Sequence, residues 1–167
     1  MSIKVIPIIT PMSLDDRSAV IDIFNYYVEH SFAAYPEKAV PYEFYETRLK
    51  LCQGFPNGVL RRESSEVAGF GMLRPYSPIP TFSRTAEMTY FIRQEHTGQE
   101  LGTVILDYLT DGGKKMGLDS ILASVSSLNE DGMKFHLRHG FVECGRFRNI
   151  GRKQGKVFDV VYYQKML

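Results

Sequence analysis

Apolar residues recur at intervals of three and four in two long stretches of the chain, which is the spacing of a helix with one buried face. In the first stretch the pattern is carried by Val20, Ile23, Phe24 and Tyr27. Ser13 precedes this stretch with an acid three residues later, a spacing typical of a helix start. We therefore predict a helix that runs from this point to about His30.

The second stretch is carried by Leu101, Val104, Ile105, Tyr108 and Leu109. It predicts a helix that begins near Gln99 and ends near Gly117. Two shorter helices are indicated by the residues at their ends. One has Pro41 in its first turn and Gly54 as its C-terminal cap, and the other covers residues 131–139.

Short runs rich in β-branched and aromatic residues predict the strands. A polar turn at Ser64-Ser65 joins two runs into a hairpin, prolines at 75, 78 and 80 exclude regular structure until Thr85, and residues 151–155 link the last two runs. Strands that come first in hairpins and then alternate with helices imply a mixed α/β or α+β domain around one central sheet flanked by helices. The runs cover residues 3–8, 59–63, 67–73, 86–92, 120–125, 141–148 and 157–164.

Length and charge narrow the classes of function. The chain has 167 residues with 20 basic and 19 acidic side chains, so we expect one domain over residues 1–167 and no nucleic acid or membrane partner. Cys52 and Cys144 are too few for a disulfide framework and form no metal-ligand motif. We therefore expect reduced thiols, a cytoplasmic protein and no metal site.

The stretch from Tyr90 to Thr103 reads as a strand, a polar loop and the start of the long helix. A helix that starts directly after a strand directs unpaired N–H groups and a partial positive charge at one point, which suits a phosphate. The alternative is that this is simply a strand-to-helix turn. Neither a P-loop nor a dinucleotide-binding glycine pattern is present.

The order of these motifs resembles the GNAT superfamily of acyl-CoA N-acyltransferases, and within it the phosphinothricin acetyltransferase-like group. The phosphate loop of this family, Gln/Arg-x-x-Gly-x-Gly/Ala, falls on residues 97–102. A second family stretch falls on residues 129–141 and keeps Asn129, His136, Gly140 and Phe141. Residues 85–87 and 151–159 are also similar, so the resemblance covers essentially the whole chain.

The resemblance implies a GNAT-like fold and an enzyme that moves an acetyl group directly from acetyl-CoA to an amine. It implies a small amino-acid-like acceptor, of the phosphinothricin or methionine sulfone and sulfoximine type, and a homodimer. Two other functions stay open at this point. One is acetylation of a protein or peptide amine, and the other is a noncatalytic ligand-binding module with the same fold.

Three positions depart from the family pattern. Thr97 stands where Gln or Arg is usual, Gly132 where Ser is usual, and Glu100 where the phosphate loop has its first glycine. Thr97 and Glu100 also have the spacing of a capping box, in which both side chains would occupy N–H groups that a pyrophosphate needs. Because the Glu100 carboxylate would also repel phosphates, we expect weakened coenzyme A binding.

Catalysis requires a base, an oxyanion donor and a proton for the leaving thiolate. Glu87 is the candidate base, acting directly or through a water, and a salt bridge with Arg84 is its alternative role. The family implies the Ile92 main-chain N–H as the oxyanion donor. It also places His136 as the acid, although a lone helical histidine is more often a packed core residue.

Coenzyme binding is expected along the strand and the loop that follows it. The resemblance implies that Tyr90, Phe91 and Ile92 pair with the pantetheine arm like an added strand. Asn129 either caps the short helix or contacts the coenzyme, and Lys134 is a candidate for phosphate contact. The expected phosphate loop and helix start consist of Thr97, Gly98, Gln99, Glu100, Leu101, Gly102 and Thr103.

The acceptor is expected between the loop after the first helix and the proline-rich loop. Phe32 and Tyr35 are candidates for its walls. Arg74, Tyr76 and Arg84 are candidates for holding a carboxylate or a similar anion. Ordinary aromatic packing and surface arginines explain the same residues equally well.

Overall fold

The computed structural model describes residues 6–167, which contain seven strands and four helices. Three single 3-10 turns lie between them, at Leu14–Asp16, Pro80–Phe82 and Gln94–His96. The helices are α1 (Arg17–His30), α2 (Phe44–Leu51), α3 (Leu101–Lys115) and α4 (Glu130–Arg138). The strands are β1 (Ile8–Thr10), β2 (Asn57–Arg61), β3 (Val67–Pro75), β4 (Thr85–Ile92), β5 (Ser120–Ser126), β6 (Val142–Lys153) and β7 (Lys156–Met166).

All seven strands belong to one mixed sheet, in the order β1-β2-β3-β4-β5-β7-β6. Neighbouring strands are antiparallel except β4 and β5, which run parallel. This parallel pair is short, because only Thr85, Ala86 and Glu87 pair with β5. Beyond Glu87 the two strands separate, and the gap between residues 88–92 and 123–126 is a fork in the middle of the sheet. The prediction of one mixed central sheet flanked by helices is confirmed.

The sheet is covered by helices on both faces. On one face α3 buries Ile105, Leu106 and Leu109 completely in the larger hydrophobic core. On the other face α1 and α2 form a second core with Phe70 and Met72 of β3. Within β4, side chains alternate between these faces, so Ala86, Met88 and Tyr90 face α3, whereas Glu87, Thr89 and Phe91 face α1. None of the four helices in residues 6–167 has both the length and the apolarity needed to cross a membrane.

The predicted start of α1 is confirmed. The Ser13 N–H donates to Asp16 Oδ2 at 3.0 Å, which is one half of a capping box. Asp16 is buried and forms an ion pair with Arg61 of β2, so this turn is also connected to the sheet. The helix ends at His30 as expected.

Two predictions about the N-terminal half need correction. The first strand covers only Ile8–Thr10, and residues 3–5 of the predicted run lie outside the described residues. The second helix begins at Phe44 rather than at Pro41. The N–H groups of residues 44–46 bond to carbonyls three positions earlier, so this segment is a tight 3-10-like turn leading into the helix.

Two predicted loops also contain more regular structure than expected. Residues 80–82 of the proline-rich loop form a 3-10 turn. The last two strands extend through residues 151–155 to a two-residue turn at Gln154 and Gly155, where φ is 50° and 74°. Two successive positive φ values are typical of the hairpin turn that matches strand twist. Gly151 lies in β6 instead, where a Cβ would come within 2.1 Å of the Phe158 ring.

Candidate active site

Main-chain groups of β4 face the open fork. Tyr76 N–H donates to the Thr85 carbonyl and Arg93 N–H donates to the Ala68 carbonyl, so the odd-numbered residues of β4 bond to β3. The N–H and C=O groups of Met88, Tyr90 and Ile92 therefore point toward β5, where the strands have separated. The Ile92 carbonyl accepts a hydrogen bond from the Tyr27 hydroxyl of α1. Burial raises the pKa of Tyr27 to about 12, so it remains a donor at neutral pH.

The predicted phosphate loop continues from β4 to the N-terminus of α3. Gly98 and Glu100 both have positive φ, at 76° and 62°, and the helix begins at Leu101. The predicted capping box is wrong, because Glu100 itself is the N-cap and its side chain makes no cap hydrogen bond. The Thr97 hydroxyl donates instead to the Gln94 carbonyl at 2.9 Å. Neither side chain therefore occupies the first-turn amides of α3.

A polar cluster from the β2–β3 turn surrounds this loop. Arg62 donates to the Gln99 side-chain oxygen and lies 3.3 Å from His96 Nδ1. Glu66 contacts the other nitrogen of His96 at 3.2 Å and Arg93 at 3.5 Å. The Gln99 side chain thus already has a partner within the protein.

Contacts between α3 and α4 use two of the predicted coenzyme residues. A Cβ on Gly102 would lie 3.2 Å from the Phe135 ring, so glycine permits close packing of these helices. Thr103 Oγ1 is 2.9 Å from His139 Nε2. His139 Nδ1 lies 2.8 Å from the Phe135 carbonyl and donates to it, so the ring of His139 is held between α3 and the preceding turn of α4.

Asn129 is the N-cap of α4, as the first of its two interpretations predicts. Its Oδ1 accepts a hydrogen bond from the Gly132 N–H at 3.1 Å. A Cβ at Gly132 would lie 2.4 Å from the Asn129 amide, so the glycine that departs from the family pattern makes room for this cap. Lys134 is exposed on the same helix and has no ion-pair partner in the described part of the chain.

His136 is a buried residue with one nitrogen satisfied. Its ring is stacked on Tyr163 and lies edge-on to Phe141. Nδ1 is 2.6 Å from the Gly132 carbonyl and must donate to it. Burial lowers the pKa of His136 below its usual 6.5, so the ring is neutral at pH 7 and its Nε2 carries no proton. This geometry favours the packing role over the role of proton donor.

The α1 face of the fork carries the candidate base. Glu87 forms an ion pair with Arg74 of β3, and Arg74 also donates to the Thr89 hydroxyl at 2.8 Å. The alternative prediction, a salt bridge of Glu87 with Arg84, is therefore confirmed as a salt bridge but wrong about the arginine. Arg84 pairs with Asp119 instead. The Glu87 side chain keeps 26% of its surface exposed, so it can be reached from the fork.

Tyr35 reaches this region from the loop between α1 and α2. Its hydroxyl is 3.2 Å from Ser124 Oγ of β5, and its ring is stacked on Phe158 at 6.0 Å. Burial raises the pKa of Tyr35, and the negative charge of Glu87 raises it further. The structure thus brings together Tyr35, Arg74 and Glu87 from the predicted acceptor and catalytic residues.

Three predicted acceptor residues lie apart from this cluster. Arg84 is exposed at the closed end of β4 with both Asp119 oxygens as partners, so it does not hold an anion at the fork. Tyr76 packs edge-on to Phe82 in the proline-rich loop, and nothing described in residues 6–167 joins it to Glu87. Phe32 borders a shallow cavity of about 310 Å³ beside the start of α4.

Sequence reasoning missed two basic residues near the acceptor side. Lys153 is 1% exposed, and its ammonium donates to the carbonyls of Ser31 and Ala34 at 2.8 and 2.7 Å. Arg48 lies on α2, with its guanidinium 4.8 Å from the centre of the Phe44 ring. Arg48 belongs to no motif, and only its position beside the apolar stripe of α2 could have drawn attention to it. Lys153 lies within residues 151–159, which resemble the family, but that resemblance gave the lysine no role.

Comparison with known proteins places this geometry in a family. The pattern of the acetyltransferase (GNAT) family matches residues 20–141. A phosphinothricin N-acetyltransferase of Streptomyces coelicolor is 26% identical, with 92% of each chain covered. An L-methionine sulfoximine/L-methionine sulfone acetyltransferase of Pseudomonas aeruginosa is 27% identical, with 89% of this chain and 88% of the relative covered.

The fold is also found in solved structures. A GNAT superfamily phosphinothricin acetyltransferase from Sinorhizobium meliloti, in complex with AcCoA, superimposes with a TM-score of 0.88 at 18% identity. The match covers 96% of this chain and 88% of that one. At this level of identity the likeness concerns the fold. Since the family pattern spans most of the chain and both faces of the fork, this chain belongs to the acetyltransferase (GNAT) family.

Proposed function

We propose that this protein transfers an acetyl group from acetyl-CoA directly to the amine of a small amino-acid-like acceptor. The acceptor is of the phosphinothricin or methionine sulfone and sulfoximine type, in keeping with the names of the two relatives. The observation that carries the proposal is the open fork, whose main-chain groups adjoin the Glu87–Arg74 pair. A cleft with free main-chain groups beside a charged pair suits a linear amide-bearing ligand that meets a polar acceptor.

The coenzyme arm would pair with β4 at Tyr90 and Ile92, whose N–H groups face the fork. When bound, acetyl-CoA supplies a thioester carbonyl that is already activated for attack by an amine. The side chain of Phe91 packs in the core that α1 and α2 form with β3, so Phe91 would stabilise the position of β4 rather than contact the coenzyme with its side chain. Residues that would adjoin the phosphates are Thr97, Gly98, Gln99, Glu100, Leu101, Gly102, Thr103, Asn129 and Lys134.

These residues fit the coenzyme through main-chain groups rather than through side chains. The first-turn amides of α3 carry the partial positive charge of a helix start, and Gly98 is exposed without a side chain to obstruct them. The side chain of Leu101 is buried in the core and that of Thr103 contacts His139, so both residues would contact the coenzyme through their main-chain N–H groups. Glu100 is the one unfavourable feature, because its carboxylate lies at the N-cap.

Glu87 accepts the proton of the acceptor amine in this proposal. It lies five residues from Ile92, about 16 Å along a strand, but only three residues from Tyr90, about 10 Å. We therefore assign the oxyanion contact to the Tyr90 N–H and the pantetheine contact to Ile92, with a water carrying the proton to Glu87. His136 stays a candidate acid only if a bound ligand changes its protonation.

The remaining predictions concern the setting of the enzyme. We propose a cytoplasmic homodimer with reduced thiols and no metal. Cys52 is buried and Cys144 is exposed, and neither thiol has a hydrogen bond to a histidine within residues 6–167, which favours direct transfer over an acyl-enzyme. Light scattering during size-exclusion chromatography would give a mass near 38 kDa for a dimer, twice 19.1 kDa. A mass near that of one chain would contradict the dimer.

An acceptor screen tests the function. Purified protein and acetyl-CoA would be incubated with phosphinothricin, methionine sulfone, methionine sulfoximine and short peptides while released thiol is measured. We expect release with at least one of the amino acids and little with peptides. Release with peptides alone would favour the protein acetyltransferase. If no acceptor gives thiol release and millimolar acetyl-CoA does not increase the melting temperature, the noncatalytic module is favoured.

A further inference from the structure

The acceptor side of the fork holds more positive than negative charge. Arg74 is paired with Glu87, whereas Arg48 has no carboxylate partner within residues 6–167. Arg48 packs against Phe44, which belongs to the core that α2 forms on this side of the sheet with residues 70 and 72 of β3, and Arg74 follows on the same face of that strand. Burial and the Arg74 charge both lower the pKa of Arg48. Of these two arginines, only Arg74 has a carboxylate partner in residues 6–167.

Arg48 is held in place without being neutralised. Its guanidinium lies 4.8 Å from the centre of the Phe44 ring, a distance typical of a cation–π contact. The residue is only partly exposed, so its charge is incompletely solvated. A partly buried guanidinium without a counter-ion is unfavourable, and the planar fork of donors matches a carboxylate.

We propose that Arg48 binds the α-carboxylate of the acceptor amino acid and thereby selects acceptors with a negative group beside the reacting amine. This inference rests on the proposed function and names the residue that recognises the acceptor. Arg74 is less suited because its charge is already paired with Glu87 and it also donates to Thr89, and Arg84 is paired with Asp119.

Paired acceptors and paired variants test the proposal. Methionine sulfone carries the carboxylate, and methionine sulfone amide has the same amine and side chain without the negative charge. The variants are Arg48→Gln, which removes the charge, and Arg48→Lys, which keeps it but loses the planar donor fork. Lys50→Gln is the control, because it removes a positive charge from an exposed position on the same helix.

We expect Arg48→Gln to lower kcat/KM for methionine sulfone by about 10- to 100-fold, mostly through KM, since a hydrogen bond to a charged group is lost. The amide should change by less than about threefold, as should the KM for acetyl-CoA. Arg48→Lys should fall between wild type and Arg48→Gln. Equal losses with both acceptors would mean a structural role, and no loss would mean no role; either result overturns the proposal.

A binding measurement separates this inference from the function on which it rests. Calorimetry with methionine sulfone needs no turnover, so it reports the carboxylate contact even if the protein acetylates none of the acceptors. Binding to wild type that is lost in Arg48→Gln and kept in Lys50→Gln would support Arg48. If methionine sulfone does not bind wild type, the inference is wrong, whatever amines the enzyme acetylates.

Discussion

At the scale of single residues, Glu100 is the clearest departure from what its position favours. It is a non-glycine residue with φ of 62° at the N-cap of α3, and it places a carboxylate where the phosphate loop of the family has glycine. Sequence reasoning located the residue at the start of the helix, and the repulsion of phosphates stays a prediction. It did not foresee the left-handed backbone, which depends on how the chain turns from β4 into the helix.

We expect Glu100→Gly to bind coenzyme A about 10-fold more tightly, because the carboxylate that repels the phosphates is removed. Isothermal titration calorimetry measures the dissociation constant. Glu100→Gln is the matched control, since it removes the charge and leaves the backbone conformation. Equal or weaker binding in Glu100→Gly would contradict the prediction.

Glu87 is a residue whose environment only the structure reveals. We expect Glu87→Gln to lower kcat by at least about 100-fold, the usual effect of losing a general base, with unchanged affinity for acetyl-CoA. Steady-state kinetics at saturating acceptor would measure it, with the exposed Glu63→Gln as control. Unchanged turnover would remove Glu87 from the mechanism.

At the scale of elements, α4 shows how a helix can combine a cap, a packing surface and a neutral imidazole. Its N-cap Asn129 needs the space left by Gly132, and the Gly132 carbonyl in turn accepts from His136 Nδ1. The sequence predicted the helix and its cap from local spacing. It left the role of His136 open, because burial between Tyr163 and Phe141 depends on distant strands.

The lowered pKa of His136 predicts a defined dependence of stability on pH. Above pH 6.5 the ring is neutral in both the folded and the unfolded state. As the pH falls below 6.5 the unfolded state takes up the proton first, so the free energy of unfolding decreases until the folded pKa is reached. NMR titration should show His136 titrating below 6.5. A midpoint at or above 6.5 would contradict this prediction.

At the scale of the whole molecule, the β6–β7 hairpin and the loop after α1 are joined by contacts between residues more than a hundred positions apart. Lys153 donates to two carbonyls of the loop, and the Gln154 N–H donates to Glu37 at 2.9 Å. The same loop carries Tyr35 toward the fork. The hairpin tip therefore fixes one wall of the proposed acceptor site.

Lys153→Ala should lower the free energy of unfolding by about 2 kcal/mol or more, because it leaves two carbonyls without a donor. Urea unfolding monitored by circular dichroism would measure the change. Lys156→Ala is the control at an exposed position of the same hairpin. An effect no larger than that of the control would show that the Lys153 contacts contribute little to stability.

The sequence by itself determined most of the elements, their order along the chain, the family and the position of the loop between β4 and α3, for which phosphate binding is proposed. These features depend on local periodicity, on capping residues and on motif spacing, all of which are written along the chain. The partners of Arg74, Arg84 and His136 depended on the tertiary structure. So did the fork, the left-handed backbone of Glu100 and the lack of a carboxylate partner for Arg48 within residues 6–167. Each arises where strands or helices distant in sequence meet, and side-chain pairing there depends on register and burial, which local patterns do not specify.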